Sequence, residues 1–124
     1  MSSSGVSAIL TELVRLLDQL AAKDIPAAID LRSLPLSPHD RTELKRALGN
    51  GEVEASINAE GVSSLRETRI SGVWWVEHRD AHGELIAELL EVTRVPEILA
   101  SASDEIAAAA QALRERLSLA ARAC

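Results

Sequence analysis

The residues best suited to chemistry in this 124-residue chain are three histidines, two adjacent tryptophans, one cysteine and a set of carboxylates. His78 and His82 flank a short polar turn, and imidazole suits nickel and zinc. Two histidines do not close a site, and no cysteine or third histidine is near them in sequence. The spacing therefore assigns them to a solvated turn. His39 falls in the first turn of a helix, and Cys124 on a terminal tail. Glu52, Glu67 and Glu91 fall one on each of three strand-like runs. On adjacent strands they would either meet, to hold a cation or a partner's basic segment, or stand as exposed rungs or pair with Arg66, Arg69 and Arg94 across the sheet, the readings that surface charge favours. No Ser/His/Asp or Cys/His arrangement is legible, so the sequence assigns no catalytic residue, no metal ligand and no cofactor.

Two glycines one residue apart, in Leu48-Gly49-Asn50-Gly51-Glu52-Val53, imitate a phosphate cradle only superficially. Phosphate loops follow a strand and open a helix. This one ends a helix and opens a strand, and the nearby helix end is the negative one. Trp74 and Trp75 must point to opposite faces of a strand. Either both pack inside, as Trp usually does, or one lies at a partner surface, where Trp is enriched among hot spots.

The elements that position these residues follow from periodicity. Apolar residues at Val6, Ile9, Leu10, Leu13, Leu16, Leu17 and Leu20 have the spacing of an amphipathic helix, stopped after Lys23 by Pro26. Residues 1–5 are small and polar and are expected to fray. The piece Ile29-Asp30-Leu31 suits a short edge strand. Ser37-Pro38-His39-Asp40 opens a second helix, with Ser37 as cap and Pro38 in the first turn, and Gly49 ends it.

Strand composition then fills Glu52–Asn58, Ser63–Arg79 and Leu85–Val95, separated by the turns Asn58–Gly61 and Asp80–Gly83. Each turn is expected to use its glycine in the left-handed conformation. The middle run is long for one strand, and Gly72 marks a bulge or a close backbone approach. An Ala-rich helix from Ser101 to Ala123 closes the chain. The prediction is one α+β domain spanning residues 1–124: a three-stranded antiparallel meander flanked by two N-terminal helices and one C-terminal helix, with helices on one sheet face.

Composition bounds the partners. The net charge is −6, which disfavours nucleic acid and anionic membranes. One cysteine excludes an intrachain disulfide and fits a reducing compartment, and no signal or membrane-spanning stretch is present, so a cytoplasmic location is expected. With no Phe or Tyr, the core must be built from Leu, Ile, Val and Ala, with at most a small aromatic contribution.

Several blocks in order, Leu48-Gly49-Asn50-Gly51-Glu52-Val53, Glu67-Thr68, Gly72-Val73-Trp74-Trp75-Val76, Glu91-Val92 and Val95-Pro96, resemble the carboxy-terminal domain of the HupH/HyaF-type hydrogenase expression/formation proteins. The resemblance covers residues 37–115. It implies a stand-alone version of that domain and an accessory, chaperone-like role in maturing nickel–iron hydrogenase, with the iron–sulfur small subunit as the favoured client. It supplies no catalytic residues. The expected partner contact includes Glu67, Gly72, Trp74 and Trp75. Self-association through the Ala-rich helix fits so small a core. The competing expectation is nickel or iron handling through Glu and His.

Overall fold

The computed structural model describes residues 4–123. They fall into two compact units, one up to Arg94 and one from Val95. The first unit holds α1 (Ser4–Lys23), α2 (Pro38–Leu48) and five strands: β1 (Ala27–Asp30), β2 (Glu54–Asn58), β3 (Val62–Glu67), β4 (Val73–Arg79) and β5 (Leu85–Val92). The second holds α3 (Ser103–Ala123). All strand pairs are antiparallel, and the order across the sheet is β1-β5-β4-β3-β2.

The α+β class and the helix order are as expected, but the sheet has five strands, not three. The long middle run is two strands, because Thr68 to Gly72 turns the chain back so that Glu67 pairs with Trp74. Gly72 sits in that turn at φ 91°, a conformation open to glycine, with the Leu17 methyl at 3.2 Å from where a Cβ would stand. The early extended piece is a true edge strand, β1, paired with β5. The ladder irregularity lies at His78/Arg79 instead of at Gly72.

Local chemistry explains the boundaries. Ser37 and Asp40 form a reciprocal capping box at the start of α2: the Asp40 amide donates to Ser37 Oγ (3.0 Å) and the Ser37 amide to Asp40 Oδ2 (3.1 Å). Gly49 ends α2 at φ 66°. In the β4–β5 turn Asp80 Oδ1 accepts from the His82 and Glu84 amides, and Gly83 is left-handed as expected. Gly61 is not left-handed. A Cβ there would stand 2.0 Å from the Arg79 carbonyl oxygen, so close approach of neighbouring backbone demands glycine. Ser4 and Gly5, expected to fray, belong to α1, while residues 1–3 and Cys124 lie outside the described residues.

Side-chain alternation sorts the sheet into two faces. One carries Ile29, Leu90, Val92, Val73 and Trp75, which pack with Val6, Ile9, Leu13, Leu16 and Leu20 of α1 and Leu44 and Leu48 of α2. On the other face Leu65, Trp74 and Val76 are buried. On the solvent side of α1, the hydrogen bond from Arg15 holds the Glu12 carboxyl below its ordinary value. α3 contains no buried residue, and Ile106, Leu113 and Leu117 are all exposed. Among the described residues no helix is long and apolar enough to cross a membrane.

Candidate functional site

Four of the five motif blocks noted in the sequence, all but Val95-Pro96, converge on one seam of the first unit. After α2 ends, the Leu48–Val53 segment runs along the end of β3. The Arg69 amide donates to Leu48 O (2.9 Å), the Gly51 amide to Glu67 O (2.7 Å) and the Glu67 amide to Val53 O (2.9 Å). Gly51 is required by proximity: a Cβ would stand 2.7 Å from Thr68 O and 2.9 Å from Glu67 Oε1. Thr68 is buried and organises the turn, its hydroxyl donating to Val73 O (2.9 Å) and accepting from the Ile70 amide (3.1 Å). The Thr93 amide then donates to Gly72 O (2.9 Å), joining the end of β5 to the same turn. These blocks act as backbone carpentry.

Both tryptophans are inside the chain, Trp74 at 4% and Trp75 at 7% exposure. Both therefore pack within the chain, as the first of the two expectations has it, and Trp75 also reaches the wall of a cavity. Trp75 Nε1 donates to Glu88 Oε2 at 2.9 Å, and Glu88, itself 1% exposed, is ion-paired with Arg41 of α2. The Lys45 ammonium lies 5.1 Å from the Trp75 ring centre, a cation–π distance. Trp74 Nε1 has no hydrogen-bond partner among the described residues.

Glu67 and Glu91 occupy one row of the opposite face, on either side of Trp74. Two strand spacings, about 10 Å, separate their backbones, with the buried Trp74 on the strand between them. Glu52 lies outside β2 and is exposed, so the three carboxylates are not gathered. His78 Nδ1 is 2.7 Å from Ser63 Oγ, His82 is exposed, and His39 pairs with Glu43 one turn on (2.9 Å). Among the described residues no three His, Cys, Asp or Glu side chains are grouped to hold a metal.

What the sequence reading missed is the polar apparatus beside Trp75. A cavity of about 270 Å³ is lined by Lys45, Arg46, Asn50, Ser64, Arg66 and Glu77, among others, with Trp75 and Thr68 in its wall. Glu88 carried a legible signal: it falls on the alternation of Ile86, Leu90 and Val92, a charge in a buried register. Arg41 carried none, because its partner is 47 residues away.

Fold and seam together define a small α+β protein whose motif residues fix a sheet in which, among the described residues, β2 is an end strand paired on one side only. The chain matches the model of the HupH hydrogenase expression protein, C-terminal conserved region, over residues 4–120, and it belongs to that family. A solved structure, the hydrogenase expression protein HupH from Thiobacillus denitrificans, superimposes with a TM-score of 0.90 at 37% identity, covering 95% of this chain and 98% of that one. The hydrogenase expression/formation protein HoxQ of Azotobacter vinelandii is 36% identical over 90 residues, 73% of this chain and 32% of that protein. The hydrogenase-1 operon protein HyaF of Escherichia coli is 30% identical over 90 residues, again 73% and 32%. The chain spans between 32% and 42% of the length of the curated relatives it matches.

Proposed function

We propose that this chain is a non-catalytic accessory protein of nickel–iron hydrogenase maturation, which holds a hydrogenase subunit, by preference the iron–sulfur small subunit, through protein–protein contact. Family membership supplies the cellular context. The observation that carries the contact is the open edge of the sheet at β2. The bond from the Glu67 amide to Val53 O sets the ladder so that Ala55 and Ile57 turn their peptide groups to β3. Glu54, Ser56 and Asn58 then turn theirs outward, free to receive another strand. Exposed Val53 and Val62 border that edge. Glu67, partly exposed on the next strand, is within reach of such a client, while Trp74 and Trp75 serve from inside by holding β4 in place.

Tagged co-purification with the small-subunit precursor and, separately, the large subunit tests this. Ser56→Pro is the informative variant, because proline removes an outward amide and no sheet bond. Retention of the small subunit by the parent chain and its loss in a folded Ser56→Pro variant is the expected result. A folded parent chain that retains neither subunit would sink the proposal.

A further inference from the structure

We propose that the cavity between the end of α2 and β3–β4 is a carboxylate-binding site that receives an acidic, extended peptide segment of a partner protein. This goes beyond the edge-strand contact and stands on separate residues. Three cationic side chains line the cavity, Lys45, Arg46 and Arg66, against one carboxylate, Glu77. Arg69 adds a fourth cation next door, its side chain packed over Gly49, which also lines the cavity. Such a concentration of positive charge is unexpected in a chain of net charge −6.

The ordinary explanation is that Lys45 and Arg46 compensate the negative end of α2. It accounts for too little, because a helix end carries only about half an elementary charge. Nor are these cations consumed by neighbours. Lys45 reaches Glu77 only at 3.9 Å, and Glu77 is shared with Arg79 at 3.3 Å. Arg66 meets Glu54 at 3.5 Å on the exposed edge. Arg46 and Arg69 have no ion-pair partner among the described residues. The lining therefore keeps a positive excess beside the Trp75 wall, solvent-exposed and so open to screening by salt.

The remaining lining selects among anions. The Trp75 indole offers an apolar surface for the methylenes of a Glu side chain, and Ser64 and Asn50 offer neutral hydrogen-bonding groups. Glu77 at the wall opposes a doubly charged phosphate more than a single carboxylate. The chain's overall negative charge disfavours a nucleic-acid backbone.

The experiment titrates the purified chain with a hexaglutamate peptide, following tryptophan fluorescence and backbone amide NMR shifts, with inorganic phosphate and hexalysine in parallel. Saturable binding of hexaglutamate, weakened by added salt and by about tenfold or more in a Lys45→Gln/Arg66→Gln double variant, is expected. Shifts are expected at Lys45, Arg46, Ser64 and Arg66. Both substituted side chains are exposed, and unchanged urea midpoints will show that the variant is folded. No saturable shift with hexaglutamate, equal binding by the double variant, or phosphate binding as tightly as the peptide would overturn the proposal. Because the probe is synthetic, this outcome is independent of whether any hydrogenase subunit is retained.

Discussion

The indole N–H of Trp75 points at the carboxylate of Glu88 across a 2.9 Å hydrogen bond, and both groups are buried beneath α2. Arg41 closes the arrangement from the helix, so one buried charge is answered by an ion pair and a hydrogen bond. Glu88 thus fixes α2 over the sheet, and with it Lys45 and Arg46, which line the cavity from the last turn of the same helix.

Glu88→Ala would leave the indole N–H without an acceptor and Arg41 without its partner. Removing one member of a buried pair costs about 3–5 kcal/mol. Arg41 is partly exposed and can re-solvate, so the lower end, about 3 kcal/mol, is expected. Glu88→Gln keeps an acceptor for Trp75 but loses the charge facing Arg41, and should fall between the two. Urea denaturation of the three proteins checks the order, which a parent-like Glu88→Ala midpoint would contradict.

The sequence carried the α+β class, both N-terminal helices and the polar turns, because these depend on periodicity and on local caps such as Ser37–Asp40. It misjudged the strand count because apolar and β-branched residues continue through the Thr68–Gly72 reversal. That turn is set by a threonine hydroxyl, not by a Gly-Asn or Pro-Gly pair. Gly61 misled in the other direction: its need is steric, against Arg79, which no local pattern reveals. The cationic cavity was invisible because Lys45 and Arg66 lie on elements that meet only through the fold.

Gly51→Ala places a methyl group against the Thr68 carbonyl and the Glu67 carboxylate, and the nearest of these atoms is backbone that cannot swing aside. A loss of about 1–3 kcal/mol is expected from this overpacking. Gly83→Ala is the control for conformation alone, since nothing stands within 4 Å of the added carbon and only its positive φ is strained, at about 1 kcal/mol. Thermal melts of both variants will separate steric from conformational need. A Gly51→Ala variant that melts at the parent's temperature would refute the steric account of the seam.

Thr68→Val preserves shape and removes the hydroxyl. The Ile70 amide then loses its acceptor and the Val73 carbonyl one of its two donors, the Thr68 amide remaining on it. A cost of about 1–2 kcal/mol is expected. Hydrogen exchange should locate the effect, with faster exchange at Ile70 and Val73 and little change in β1. Uniform acceleration across the sheet would show instead that Thr68 serves global packing.

The two tryptophans should respond differently to the same substitution. In Trp75→Phe the buried Glu88 carboxylate loses a hydrogen bond, and the aromatic platform under Lys45 shrinks. Trp74 Nε1 is buried with no acceptor among the described residues, so Trp74→Phe removes an unsatisfied donor and offsets part of the lost packing. Trp75→Phe is therefore expected to cost more, by about 1–2 kcal/mol, in paired urea titrations. Only the Trp75 variant should also weaken hexaglutamate binding, since only Trp75 lines the cavity. A Trp74→Phe variant that is the less stable of the two would mean that packing volume on its face outweighs the orphaned N–H.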